Sequence, residues 1–232
     1  MLENTTFLSF GFVALVLLVM LWLNSAIKIG RLQITAMLAW TILLSVLALQ
    51  GFFIPNDKLP PKLIFAMGPP LIFSIIFPFT KKGKKMIASI NMERLTLIHS
   101  IRIIVELVFL YQLAELTLVS DIVTFHGRNF DVIPGLTAII VWWLFFKKKK
   151  LSKKGLLLWN IISLPVLLFT ISQAILSAPL PFQQFDFEQP TIAIFYFPFI
   201  LLPGFVAPTV IFCHIAFFHK YRSLQEWKTM KK

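Results

Sequence analysis

The feature that most constrains this chain is a succession of seven long apolar runs. They lie at about Phe7–Leu23, Gln33–Phe53, Lys62–Phe79, Leu95–Val119, Val132–Phe146, Gly155–Ser177 and Thr191–Phe217. A helix needs roughly 20 apolar residues, range ~17–25, to cross the hydrocarbon of a bilayer. In lipid every backbone N–H and C=O must be paired within the structure, which leaves helices or a closed barrel. Barrel strands alternate in polarity over ~10 residues. These runs are continuous, so the pattern predicts an all-α, polytopic membrane helix bundle with seven transmembrane helices. The fifth run is short and borrows Phe130 and Asp131 to cross. Of 232 residues, 58% are hydrophobic and 14% charged, against about 45–50% and 25% in soluble domains. The runs use nearly the whole chain, so residues 1–232 read as a single domain. It ends in a short basic amphipathic tail, 219–232, where Tyr221, Leu224 and Trp227 recur at helical spacing. Such a segment lies in the membrane interface.

Lysine and arginine set orientation, because they concentrate in cytoplasmic loops. Alternate connecting segments hold Lys28 and Arg31; Lys81, Lys82, Lys84, Lys85 and Arg94; Lys147, Lys148, Lys149, Lys150, Lys153 and Lys154; and Lys220, Arg222, Lys228, Lys231 and Lys232. The opposite segments hold only Lys58, Lys62 and Arg128, an 18-to-3 split. The split alternates correctly with seven crossings and puts the N-terminus outside and the C-terminus in the cytoplasm. Glu3 before the first run, with Lys28 and Arg31 after it, reverses the arrangement of a cleavable signal. The first helix is therefore expected to be retained. Asp57, Asp121, Asp131, Asp186 and Glu188 all fall on the outer side. The net charge of +12 thus belongs to short loops facing anionic headgroups. The expected partner is the lipid bilayer, with a protein partner or homo-oligomer left open, and nucleic acid is excluded. Cys213 is the one cysteine, which rules out an intrachain disulfide and a cysteine-rich metal site. No internal repeat is visible, unlike many transporter folds.

The third run carries Gly68, Pro69, Pro70 and Pro78, and the seventh carries Pro198, Pro203, Gly204 and Pro208. Proline removes a backbone donor and clashes with the preceding turn, so both helices are expected to be kinked or interrupted. Two readings stay open: a broken-helix binding site near the midplane, or static kinks that shape packing. The fourth run carries His99, Arg102 and Glu106. At ~100° per residue these share one stripe. A charge at membrane depth costs at least about 2.5–3.5 kcal/mol, so such residues face the bundle interior and pair. Arg102 and Glu106, four apart, are spaced to pair within the helix. Depth along the runs adds Asn160 and His214 to His99 and Arg102 as one polar layer, with Glu106 above. That layer reads either as a buried site for an anion, a proton or a polar headgroup, or as an interhelical packing network. No cofactor is predicted. As metal ligands His99, Glu106 and His214 are weak candidates, since the spacing lacks a paired-histidine motif. On the outer face Arg128, Asn129 and Asp131 form a second cluster, with Arg128 placed to pair with Asp131 or Asp186. The segment 177–190 is too apolar and aromatic for a solvated linker and is expected either to fold back as a cap on the bundle or to dip into the interface.

Several stretches resemble a family of bacterial multi-spanning inner-membrane proteins of unknown function, familiar from Bacteroidetes-type genomes. They are Leu97-Ile98-His99 through Val105-Glu106-Leu107, Gly127-Arg128-Asn129-Phe130-Asp131 with Gly135-Leu136-Thr137-Ala138, and Leu158-Trp159-Asn160. The likeness continues through Ala174-Ile175-Leu176-Ser177-Ala178-Pro179, Pro181-Phe182-Gln183, Phe197-Pro198-Phe199 and Leu202-Pro203. It implies a bacterial inner-membrane setting. The scattered histidines are also similar to those of ceramidase and adiponectin-receptor type membrane hydrolases, which implies a zinc site. The chain departs from that pattern: His214 and His219 are five apart, and Ser100 directly follows His99. Three functions are carried forward: small-ligand or ion handling, in transport or sensing, through the polar cluster of the fourth helix; a structural or assembly subunit of a membrane complex; and a membrane-embedded lipid-acting hydrolase. In the last, His99 or His214 would be the acid–base group and Arg102 the anion clamp.

Overall fold

The computed structural model describes residues 6–28, 30–56 and 58–229. Glu3, Asp57, Lys231 and Lys232 lie outside the described residues, as do the side chains of Leu224, Trp227 and Lys228. Among the described residues there are helices and connecting segments and no strand. In chain order the helices are α1 (Thr6–Ile27), α2 (Arg31–Leu49), α3 (Leu63–Ile76), α4 (Lys81–Ala88), α5 (Met92–Glu115), α6 (Val132–Lys147), α7 (Lys153–Leu176) and α8 (Ala207–Thr229). By length and composition α1, α2, α5, α7 and the segment Leu202–Arg222 can each cross a membrane. A sixth span is counted if α3 and α4, bent by 77° around Phe77–Phe79, are taken as one. The shorter apolar helix is α6.

Three of the helices that start at the basic end, α4, α5 and α7, begin on side-chain caps, which satisfy backbone donors that a helix leaves unpaired. Thr80 accepts from Gly83 N at 3.0 Å before α4, Asn91 from Arg94 N at 3.1 Å in α5, and Ser152 from Gly155 N at 3.0 Å in α7. Proline acts differently in the two punctuated runs. α3 continues through Pro69 and Pro70, and Pro78 sits in the tight turn that precedes the bend. The seventh run is not helical from Thr191 onward, as its apolarity suggested. It makes a 3-10 turn at Ala193–Phe195 and further turns around Pro198, then a π turn at Leu202–Val206 that leads into α8. Pro198 and Pro203 each remove a backbone donor, and Pro203 sits in the first turn of the π segment, where a missing N–H costs least. The Gly204 carbonyl would pair with the N–H of residue 208, but that residue is proline. The Trp40 indole N–H donates to it instead, at 3.0 Å, and ties α2 to the entry of α8. α8 then runs unbroken through 219–229.

The apolar core has two parts. One packs Phe12, Phe109, Phe195 and Phe199; the other, at the basic end, packs Leu23, Ile87, Ile98 and Phe217. They meet along α5 between Ile98 and Ile101. At the opposite end the segment 177–193 folds across 116–120 as a cap. Ile192 N and Ala193 N donate to Leu118 O at 3.0 and 2.9 Å, Gln189 donates to Val119 O at 2.8 Å, and the Ser120 hydroxyl donates to Asp186.

Candidate functional site

α5 is irregular where it carries its polar stripe. A 3-10 turn spans Ile98–Ser100 and a π segment spans Val105–Leu110, around the α-helical Ile101–Ile104. π segments inside α-helices are frequent at functional sites. His99, Arg102 and Glu106 are 1%, 2% and 2% exposed. At ~1.5 Å per residue they cover roughly 10 Å along the helix axis. Each one organises its own level.

At the first level the His99 and His214 rings face each other, centroids 4.1 Å apart, with Trp159 edge-on to His99 at 5.4 Å. Asn160 donates through Nδ2 to Leu156 O at 3.0 Å, so its Oδ1 faces His214 Nδ1, also at 3.0 Å. That assigns the His214 proton to Nδ1 and leaves a lone pair on Nε2. His214 Nε2 and His99 Nδ1 are both buried without a hydrogen-bond partner. At the second level Arg102 forks onto Asp131: Nε donates to Oδ2 at 2.6 Å and Nη2 donates to Oδ1. Nη2 also reaches Ser163 O at 3.3 Å, and Nη1 is buried and unpartnered. At the third level Glu106 accepts from Asn129 Nδ2. Asn129 also donates to Val123 O at 2.8 Å and accepts from Thr170 Oγ1 and Asp131 N, each at 2.8 Å.

Two expectations are corrected. Arg102 does not pair with Glu106 along the helix; its partner is Asp131. Arg128 does not pair with Asp131 or Asp186; its guanidinium stands over the Phe185 ring at 5.5 Å. Both follow from the depth at which α6 begins. A Cβ on Gly135 would meet Ile103 N at 3.0 Å and Arg102 Cβ at 3.2 Å. The first turn of α6 therefore lies against the middle of α5, not its outer end. The preceding loop must descend into the bundle, carrying Asn129 and Asp131, 2% and 3% exposed. Asn129 and Asp131 of the expected outer-face cluster join the helical stripe in one network, and Arg128 stays outside it.

The sequence reading missed Ser163 and Thr170. Together with Asn160 and Gln173 they mark a polar stripe at helical spacing on α7, buried throughout. The signal was present: four small or amide side chains at i, i+3, i+10 and i+13 in an otherwise apolar helix, on one side of it. Gln173 Oε1, further along, is buried without a partner. Among the described residues no group of three His, Cys, Asp or Glu comes together as a metal would need.

The charge count of the cluster decides its chemistry. Asp131 matches the one guanidinium in a bidentate pair, the stronger form of such contacts. Glu106 is left with a neutral amide. Two carboxyl groups and one cation leave one negative charge without a partner, which a proton or another small cation would neutralise. A domain of unknown function (DUF8737) matches residues 60–222, well over half of the chain and all of the cluster, and the chain belongs to that family. No curated protein and no solved structure matches it.

Proposed function

We propose that this family member is a seven-helix, multi-pass protein of the bacterial inner membrane that handles protons through the His99–Arg102–Glu106 line, in transport or in sensing. Five helices are long and apolar enough to cross, six with the bent α3–α4 pair; the shorter α6 is the seventh crossing in this reading. The 18-to-3 distribution of lysine and arginine supports an outer N-terminus and a cytoplasmic C-terminus. One observation carries the functional reading: a buried carboxyl group, Glu106, held by an amide and left without a cation. Ionisable residues at such depth mark ion and proton pathways. The levels are strung along the membrane normal, so protonation at Glu106 and at the two imidazoles connects different depths. Arg102, paired with Asp131, stands between them. A change of charge at Glu106 also alters what Arg102 prefers, Asp131 or Glu106, and so couples the proton to the loop that carries Asp131.

The test is proton flux into proteoliposomes loaded with a pH-sensitive dye under an imposed potential. Wild-type protein is expected to move protons above the rate of empty vesicles, and Glu106→Gln to abolish that excess. Wild-type flux equal to that of empty vesicles would overturn the transport form. An unchanged response in Glu106→Gln would overturn the role of the site. A packing or assembly role is the second reading, favoured by how fully the cluster is sealed. It predicts that Glu106→Gln alters stability and nothing else. The lipid-acting hydrolase draws no support from His99 and His214, whose rings are tilted against each other, with Trp159 edge-on to His99.

A further inference from the structure

α2, α3 and the π turn before α8 converge at Gly204. A Cβ there would clash with Leu44 Cδ1 and meet Ala66 O at 3.4 Å, and the Gly204 carbonyl takes the Trp40 indole N–H. Toward the basic end α3 stays against α8, where the Ser74 hydroxyl donates to Pro208 O at 2.9 Å. α2 does not follow: its buried residues, Thr41, Leu44 and Ala48, all lie in its second half. Its first half stands off and leaves a pocket of about 390 Å³, within the range of small-molecule sites, roughly 300–1,000 Å³. The two proline-punctuated runs wall this pocket together, Pro69 and Pro70 from the third and Pro208 from the seventh. It follows α2 from Gln33 to Trp40, about 10 Å at 1.5 Å per residue.

No Asp, Glu, Lys, Arg or His lines the pocket among the described residues, so a charged ligand has no partner inside it. Five aromatic side chains do line it, Trp40, Phe73, Phe77, Phe205 and Phe212, and the Phe73 and Phe77 rings stack with centroids 4.6 Å apart. Aromatic walls favour a flat unsaturated ring, held by offset or edge-on contacts. The Ser74 hydroxyl is spent on Pro208, and Gln33 is exposed at the mouth. Thr209 supplies the inner polar handle. Its side chain lines the pocket, is 7% exposed and makes no hydrogen bond with the described residues. A buried hydroxyl is costly to leave unpaired, and it can donate to a carbonyl. A plain acyl chain would cover the carbon and leave that hydroxyl unmatched. We propose that this pocket binds one uncharged, membrane-dissolved molecule with a flat unsaturated ring and a ring carbonyl, the chemistry of an isoprenoid quinone. The ring lies among the aromatic side chains, the carbonyl accepts from Thr209 Oγ1, and the tail leaves past the first half of α2. The inference shares with the proton reading only the membrane setting, since none of His99, Arg102 and Glu106 lines the pocket, and it stands or falls without proton flux.

The experiment is native mass spectrometry of full-length protein in neutral detergent, titrated with a short-chain menaquinone or with hexadecanol, a flexible uncharged chain. Wild-type protein is expected to retain one menaquinone about tenfold better than hexadecanol, the combined worth of the ring contacts and one hydrogen bond. Thr209→Val, which keeps the shape and removes the hydroxyl, should weaken retention about fivefold. Ala36→Trp places an indole in the pocket from an exposed position and should abolish retention. Ala39→Trp, equally exposed on the same helix but outside the pocket, should leave it intact. Equal retention of menaquinone and hexadecanol by the wild type would overturn the proposal and mark a general apolar crevice. An unchanged affinity in Thr209→Val, or an equal loss in Ala39→Trp, would overturn it as well. A measurement on unmodified protein guards against misfolded variants. A menaquinone with a photoreactive ring should crosslink to segments 33–40 and 205–212. Crosslinks spread evenly over the lipid-facing helices would count against the site.

Discussion

Asp131→Ala is the most informative single change. Arg102 and Asp131 are 2% and 3% exposed. The guanidinium makes three hydrogen bonds, two of them to this carboxylate. The substitution leaves a buried cation with only the 3.3 Å contact to Ser163 O. Breaking one side of a buried pair costs ~3–5 kcal/mol, since the orphaned charge keeps its desolvation penalty. Glu106 lies one turn along α5 and can accept Arg102, which offsets part of the loss and points to the lower end, ~3 kcal/mol. For a chain of this size that corresponds to a drop in Tm of roughly 6–12 °C. Thermal unfolding in mild detergent, followed by intrinsic fluorescence, reads it directly. Adding Arg102→Met removes the orphaned charge and should restore most of the loss. If Asp131→Ala shifts Tm by less than ~2 °C while Glu106→Ala produces the large drop, Arg102 is paired along its own helix and the merged site is wrong.

Asn129→Ala should cost ~1–3 kcal/mol, because Glu106, Val123 O and Thr170 each lose a buried partner; a cost below ~0.5 kcal/mol in the same unfolding assay would contradict the network. Trp40→Phe leaves the Gly204 carbonyl unpaired and should cost ~1–2 kcal/mol. Pro208→Ala supplies that carbonyl with a backbone donor, so Trp40→Phe should cost less in that background, a coupling that a double-mutant cycle measures. Orientation is read by cysteine labelling, for which buried Cys213 is a silent background. A thiol at exposed Phe187 should react with an impermeant reagent in intact cells, and one at Lys149 only after permeabilisation; the reverse pattern refutes the orientation.

Most of the helices were legible because lipid demands continuous apolarity. The apolar run at Val132–Phe146 forms the helix α6, Val132–Lys147, and the run at Gly155–Ser177 forms α7, Lys153–Leu176. The seventh run failed because apolarity reports burial and not backbone geometry: Thr191–Leu201 is buried or half-buried but holds turns around Pro198. For the site, helical periodicity put His99, Arg102 and Glu106 on one stripe. Depth bookkeeping brought Asn160 to His214. Neither tool applies to a loop. Asn129 and Asp131 lie in an irregular segment whose depth depends on how far down α5 the α6 helix begins. The short fifth run was the clue to that depth, but charge alternation alone assigned the loop to the outer surface.

The central claim is that Glu106 exchanges a proton inside the bundle. Infrared difference spectroscopy of the protein in lipid, across a step in pH, observes that carboxyl group directly. The account predicts a carboxylic acid C=O band that changes with pH in wild-type protein and is missing from Glu106→Gln. A wild-type difference spectrum with no such band, or one that survives unchanged in Glu106→Gln, would contradict it.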